Sequence, residues 1–308
     1  MSRRLHIIGL VSLLLLLPGA AAAKTLIGVV MTADIPYYRD MHSSFQERLA
    51  ATMPGKEVEY ILQRPFPDPI AWSNAARKLI ALDVDLIISY GAPATKAVLF
   101  EKSNIPVVYA GVYEPGATDI GGKNVTGCGY RVPLSSLLRY FKRFREIKKV
   151  RVVYSSTEED SVRQMTEIVS LSEEQRVELS RMDIRSHGDL RKFSELESDD
   201  GVYLTGSGLA HVWLDDLLSV SRAGKIPVVD IFPDPDEEGV LITLYHPPAE
   251  QGGRAADMAA RIIGGEKPQD IVPQVMRDTE LVINLVEAKR QGIMVPMQLV
   301  VEATRVIR

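Results

Sequence analysis

The chain holds a single cysteine, Cys128, so an internal disulfide framework is excluded and the residue reads as a small buried apolar side chain. Beyond its first residues no stretch reaches the ~18 consecutive apolar positions that a membrane helix needs. Its five histidines, His6, His42, His187, His211 and His246, show no metal-ligand spacing. No G-x-S-x-G nucleophile elbow, P-loop or G-x-G-x-x-G fingerprint is present. Gly206-Ser207-Gly208 comes nearest to an elbow, but the sequence assigns Ser207 no partner base, so no catalytic residue is expected. There is likewise no Pro/Gly/Ser linker, no low-complexity tract and no long run of like charge. The acidic stretch at 234–238 reads as a solvated turn. Neither a cofactor nor a metal site is expected. The formal net charge of −4 disfavours nucleic acid as a partner.

What is present begins with Arg3 and Arg4, an apolar run from 5 to 17, Pro18, and a small-residue stretch ending in Ala21-Ala22-Ala23. This is the pattern of a secretory signal, with cleavage expected before Lys24. The run is too short to span a bilayer. No cysteine stands at the cleavage position for a lipid anchor, so a free periplasmic protein of 285 residues is expected. That length suffices for one large or two mid-sized domains with proper cores.

Through this remainder short apolar runs alternate with longer amphipathic stretches, the signature of repeated βα units around parallel sheets. Strands are expected at 25–31, 58–63, 85–90 and 106–111, and a second series at 149–155, 176–184, 201–205, 227–231 and 240–246. Helices fill the gaps at 38–53, 69–82, 93–102, 134–144, 161–171, 210–223 and 249–263. The two series echo each other. D-L-I-I-S-Y-G at 85–91, a helix and N-I-P-V-V at 104–108 are answered by D-G-V-Y-L-T-G at 200–206, a helix and K-I-P-V-V at 225–229.

Ligands of parallel α/β sheets bind beyond the carboxyl ends of the strands, where helix N-termini converge. Four loops offer suitable groups. T-A-D-I-P-Y-Y at 32–38 brings Asp34, Tyr37 and a second ring. G-A-P-A-T at 91–95 brings Gly91, Ala92, Ala94 and Thr95, with N–H groups expected to face a ligand anion. G-V-Y-E-P at 111–115 supplies Tyr113 and Glu114, and S-S-T-E-E-D-S at 155–161 supplies Ser156, Glu158 and Ser161. Thr205, Ser207, Asp230 and Phe232 complete the expected ligand-binding set. Tyr37, Tyr113 and Phe232 are expected to sandwich an apolar or aromatic ligand part.

At D-L-I-I-S-Y-G-A-P-A (85–94), I-P-V-V-Y-A (105–110), Glu114-Pro115 and K-N-V-T-G (123–127), the sequence resembles the tryptophan/tyrosine-type substrate-binding proteins of ABC transporters. The stretch L-V-I-N-L-V-E-A (281–288), G-I-M-V-P (292–296) and Ala303 are similar to that family's closing pattern. The resemblance covers nearly all of the mature chain. It implies an α/β fold of the type I periplasmic binding class: two Rossmann-like lobes with parallel sheets, joined by a three-strand hinge. Lobe 1 would comprise 24–127 plus 247–277, and lobe 2 residues 128–246 plus 278–308. By position, Glu158, Asp160 and Ser161 correspond to the family's E-x-N-S segment.

The sequence also departs from that pattern. The family's G-T-P-A-A is G-A-P-A-T here, its D-P is Glu114-Pro115, and an expected acid in lobe 2 is replaced within Thr205-Gly206-Ser207-Gly208. An amino-acid ligand's ammonium would then need Asp34, Glu114, Glu158 or Asp230, since a buried unpaired charge is costly.

The function this implies is extracytoplasmic solute binding for an ABC permease and its ATPase, by a monomer that closes on a small ligand. An amino acid or related carboxylate is among the ligands expected. Two alternatives share the same features: a periplasmic ligand sensor for a membrane signalling protein, and a periplasmic α/β enzyme.

Overall fold

The apolar run Thr25–Met31 forms β1 and opens a series of parallel strands. The computed structural model of the protein describes residues 24–308, apart from 145, 146, 148, 172, 173, 175, 198 and 234–238. The expected secretory signal and the acidic stretch at 234–238 lie outside the described residues.

After β1 come α1 (Pro36–Thr52), β2 (Val58–Gln63), α2 (Pro69–Ala81), β3 (Leu86–Tyr90), α3 (Ala92–Phe100), β4 (Val107–Tyr113) and β5 (Val125–Tyr130). Proline stands in the first turn of α1, α2 and α3, where its missing N–H has no intrahelical partner to lose. Asp68 caps α2 by accepting from the backbone N–H groups of Ile70 and Ala71. Strands β3 and β4 are buried along their whole length, which is why they read as unbroken apolar runs rather than as alternation.

The second series is α4 (Leu134–Lys142), β6 (Lys149–Tyr154), α5 (Glu159–Ser170), β7 (Glu178–Asp183), β8 (Asp200–Leu204), α6 (Gly208–Val212), α7 (Leu214–Ala223), β9 (Val228–Asp230) and β10 (Ile242–Tyr245). The chain then runs through α8 (Pro248–Ile263), β11 (Gln274–Met276), β12 (Glu280–Asn284), α9 (Leu285–Gln291), α10 (Met297–Glu302) and β13 (Arg305–Ile307).

Two sheets result. The first has the order β11-β5-β4-β3-β1-β2 and is parallel throughout. The second has the order β13-β12-β10-β9-β8-β6-β7, with only β10 and β12 antiparallel. Reading β2-β1-β3-β4-β5 against β7-β6-β8-β9-β10 gives the same order twice. The echoed sequence segments fall on equivalent strands, β3 with β8 and β4 with β9. These are two lobes, and the chain passes between them three times: after β5, between β10 and α8, and between β11 and β12.

Several boundaries differ from the sequence expectation, each for a local reason. The helix expected at 210–223 breaks at Trp213, whose φ of −114° and ψ of 27° are not helical. The strand expected from 176 begins at Glu178, because Arg176 takes a φ of +52°. Strand β5 has two glycines in V-T-G-C-G-Y and gives no apolar run to recognise. Strands β11 and β13 have three residues each, too short for a periodic signal.

Helix α8 returns to the first lobe and packs against α1. The contact is close enough that a Cβ on Gly252 would stand 2.0 Å from the carbonyl oxygen of Met41. Its neighbour Gly253 faces open space, with its nearest atom, Cγ of Arg48, at 4.0 Å. Alanine favours a helix interior over glycine by ~1 kcal/mol. At Gly252 backbone overlap should outweigh that gain and destabilise the protein by about 1–3 kcal/mol. Urea unfolding of Gly252→Ala should therefore show a lower midpoint at unchanged slope, whereas Gly253→Ala should match or exceed the parent. Equal midpoints for the two variants would refute this packing.

Candidate functional site

In each sheet the strand order reverses beside the first strand of its series: between β1 and β3 in lobe 1, and between β6 and β8 in lobe 2. A parallel sheet has its crevice at such a reversal, beyond the strand ends. The loops found there are 32–35, Gly91, 155–158 and 205–207, and the two crevices face each other. Tyr37 of lobe 1 lies on Phe232 of lobe 2, with ring centroids 3.9 Å apart and planes at 14°. Phe66 and Trp213 meet at 5.9 Å at the rim. Beside the stacked rings lies a cavity of about 240 Å³, bounded by Asp34, Tyr37 and Arg39 of lobe 1 and by His211, Asp215 and Phe232 of lobe 2.

On the lobe 1 wall, Thr32 donates its hydroxyl to the carbonyl of Tyr90 at 2.9 Å and accepts from the N–H of Ala94 at 3.3 Å. Gly91 has a φ of +85°, and a Cβ there would stand 2.5 Å from Thr32 Oγ1 and 2.6 Å from the Tyr38 hydroxyl. Only glycine admits both hydroxyls over this turn. Gln251 on α8 donates to the Tyr37 hydroxyl at 2.8 Å and accepts from the N–H of Gly111 at 3.1 Å, which fixes the ring.

On the lobe 2 wall, Glu158 is 2 % exposed. Its Oε1 accepts from the N–H of Leu209 at 2.8 Å, and the Ser207 hydroxyl also bonds to its carboxylate. Gln164 accepts from the N–H of Gly206 at 2.7 Å. His211 sets Nδ1 2.6 Å from the carbonyl oxygen of Ser207 and Nε2 2.8 Å from Oδ2 of Asp230. Both partners are acceptors, an arrangement that favours the doubly protonated ring. Desolvation pulls its pKa down, but the Asp230 carboxylate, the Ser207 carbonyl and the Glu158 charge together outweigh this and the net shift is upward. Asp230 Oδ1 in turn accepts from the N–H groups of Ile231 and Phe232, so this pair holds the Phe232 ring in place.

The first turns of α5 join the walls. Asp160 Oδ2 accepts from the Tyr113 N–H at 3.2 Å, and the Ala92 N–H also bonds to this carboxylate. Glu167 accepts from the Tyr113 hydroxyl at 2.8 Å, and Lys96 pairs with Glu159.

The expected site residues thus divide into groups. Tyr37, Phe232, Asp34, Gly91, Ala92, Glu158 and Ser207 stand at the facing crevices. Asp34 is half-exposed and paired with Arg39 and Arg64. Ala94 is buried, and its N–H is held by Thr32. The Thr95 hydroxyl turns into lobe 1, bonded to Ser89 and to the Gly91 carbonyl. Ser161 and Thr205 bond each other at 2.7 Å and the ends of β6, which makes them braces of lobe 2. Asp230 is occupied by His211. Glu114 pairs with Arg131 at 2.9 Å beside the first crossing. Ser156 is exposed and joins a surface network with Asp183 and Arg185. Tyr113 spans the lobes through Asp160 and Glu167, but its ring packs on Tyr130 rather than on Phe232.

The N–H groups expected to receive a ligand anion at Gly91–Thr95 are instead met from within the chain, by Asp160 at Ala92 and by Thr32 at Ala94. Sequence reasoning left Asp160, Tyr38, Gln164 and His211 out of the site. Asp160 sat inside a segment already singled out, and its acid in place of the resembled family's asparagine was the available signal. Among the described residues no group of three or more His, Cys, Asp or Glu side chains could hold a metal ion, and no helix is long and apolar enough to cross a membrane.

Residues 28–307 match the model of the family described as ABC transporter substrate binding protein. A tyrosine-binding protein of Clostridioides difficile is 20% identical over 239 residues, covering 75% of this chain and 69% of that protein. A conserved domain protein of Vibrio cholerae superposes with a TM-score of 0.86 at 21% identity, covering 92% of this chain and 99% of its own. An ABC domain of Streptococcus pneumoniae in complex with L-Trp gives a TM-score of 0.83 at 20% identity, over 92% of this chain and 100% of that one.

Burial raises the pKa values of Glu158 and Asp160 to about 7 each, against ordinary values near ~4 in the unfolded chain. Between these limits the folded protein retains protons that the unfolded chain has released, so stability falls as pH rises through this window. His211 acts in the same direction: its contribution is complete below its ordinary pKa and is lost as pH rises through the elevated one. The melting temperature should therefore drop by several degrees from pH 5 to pH 8. Glu158→Gln and Asp160→Asn should each flatten the profile by removing a contribution on the order of 3 kcal/mol. A melting temperature that rises over this interval would contradict the burial of these acids.

Proposed function

The chain belongs to the ABC transporter substrate-binding protein family, and on that premise we propose that it captures a small solute between its lobes and delivers it to a membrane permease with its ATPase. The observation that carries this is the juxtaposition of the two crevices: matched strand orders bring Tyr37 and Phe232 ring to ring beside the cavity. We place the protein in the periplasm, exported by its first 23 residues and acting as a monomer. In this reading lobe 1 is 24–130 plus 247–277 and lobe 2 is 131–246 plus 278–308, the first boundary moving from the expected 127 because β5 continues to Tyr130 within the first sheet.

Closure has a simple thermodynamic basis. A solute touching both crevices contacts more of the protein when they are together, and this differential contact shifts the equilibrium toward the closed form. A planar group sliding between Tyr37 and Phe232 exchanges one ring–ring contact for two ring–guest contacts. The relatives that bind tyrosine and L-Trp support a solute with a flat apolar part. Asp34, Arg39 and Asp215 at the cavity supply charge for its polar end.

Binding without turnover is the reading the geometry favours. The His211 ring addresses the carbonyl of Ser207, while the Ser207 hydroxyl accepts from the N–H of Ala210 and bonds Glu158. His211 therefore supplies no base to the Ser207 oxygen, and the Glu158 carboxylate beside that oxygen is itself engaged by the Leu209 N–H.

A thermal-shift screen of the purified mature protein should return a solute that raises the melting temperature, since binding only the folded state stabilises it. Small-angle scattering should register a smaller radius of gyration with that solute. Phe232→Ala should weaken binding roughly 10- to 100-fold, the loss of one face of an aromatic sandwich. Full affinity in Phe232→Ala would remove the stacked pair from the site, and a solute that shifts melting without compaction would remove hinge closure.

A further inference from the structure

We propose that the cleft discriminates against ligands bearing a free carboxylate and takes a neutral or cationic solute whose N–H or O–H donates to Glu158. The inference rests on the inter-lobe cleft being the ligand site, and it narrows the chemical class that the site admits.

The anion-receiving position of lobe 1 is already filled. A ligand carboxylate entering a parallel α/β crevice is received by backbone N–H groups at a helix start. Here that start is α3 at Ala92, adjoined by the Tyr113 N–H, and both bond to the carboxylate of Asp160 from lobe 2. Asp160 is 6 % exposed. At pH 8, above the pKa of about 7 to which burial raises Asp160, a second anion at these donors would face its carboxylate at contact distance with little water between, where Coulomb repulsion is strong.

Glu158 supplies the complementary observation. The Leu209 N–H donates to Oε1 and the Ser207 hydroxyl and Gly208 N–H lie against the carboxylate, while Oε2 is buried with no hydrogen bond of ordinary geometry among the described residues. A buried acceptor left unmade is costly, so it marks where a donor from outside the chain fits. The cations nearby are engaged: Arg39 at the cavity pairs with Asp34 at 3.5 Å, and Arg64 with the same carboxylate at 3.8 Å. Lys96 is paired with Glu159 and Asp119, and Arg163 with Glu159 and Asp160. His211 is paired with Asp230. Arg163 keeps Nη1 unpartnered among the described residues, but it lies on the face of α5 that carries Glu159 and Asp160, so a carboxylate reaching it meets two acids. The deep wall of the cleft therefore presents acceptors and negative charge.

The test is a thermal-shift and calorimetry panel built as matched sets that differ only in the carboxylate: L-tryptophan with tryptamine, L-tyrosine with tyramine, and neutral polyols and nucleosides beside their carboxylate derivatives. The wild-type protein should bind members lacking the carboxylate at least tenfold more tightly than their partners. Asp160→Asn, checked for folding by circular dichroism, should narrow that ratio by tenfold or more by admitting carboxylates. Glu158→Gln should weaken the preferred solute by tenfold or more, since its amide can present a donor in place of the acceptor. Carboxylates binding the wild type as tightly as their partners, or a ratio unmoved in Asp160→Asn, overturns the selectivity while leaving the binding function standing. A panel with no binder in any class, together with unchanged scattering, overturns the binding function and the selectivity with it.

Discussion

A carboxylate taken out of water must find donors, and at Asp160 those donors belong to the other lobe. Its bonds to Tyr113 and Ala92 cross the cleft, so solvation of one buried acid and the relative position of the lobes are a single matter. The Glu167–Tyr113 bond and the Lys96–Glu159 pair follow the same face of α5. Separating the lobes would return Asp160 to water and remove the cause of its raised pKa. Proton uptake and lobe contact are thereby linked.

Around this contact the site is built in layers of decreasing freedom. Thr32, Thr95, Ser161 and Thr205 tie loop backbones to strand ends and leave their hydroxyls no spare direction. Gln251 and the His211–Asp230 pair aim Tyr37 and Phe232 at each other from opposite walls. The polar and aromatic side chains bounding the cavity are consequently a small set: Tyr37 and Phe232, His211, and the charged Asp34, Arg39 and Asp215. Rigid supports matter because a stacked pair is sensitive to ring offset and tilt.

Much of the fold was legible along the chain. The continuous apolar runs of β1, β3 and β4 and the prolines opening α1 to α3 have local causes, so local reading found them. The echo between 85–91 and 200–206 pointed to two similar halves, and the strand orders agree. Strands β5, β11, β12 and β13 escaped because their signals are weak. A glycine-bearing strand, three-residue strands and an antiparallel addition near the C-terminus are fixed by their sheet partners rather than by their own composition.

For the candidate site, the sequence determined that βα loops follow the parallel strands, and a parallel sheet carries its crevice among such loops. It could not determine which hydroxyls turn inward, because Thr95 and Ser207 have equal local reasons to cap a helix or to meet a ligand. Only the tertiary structure decided that, by bringing Asp160 of one lobe onto the helix start of the other. A carboxylate and a backbone N–H 68 positions apart acquire an electrostatic relationship that no window of sequence contains, since Coulomb interaction depends on distance through space and not along the chain.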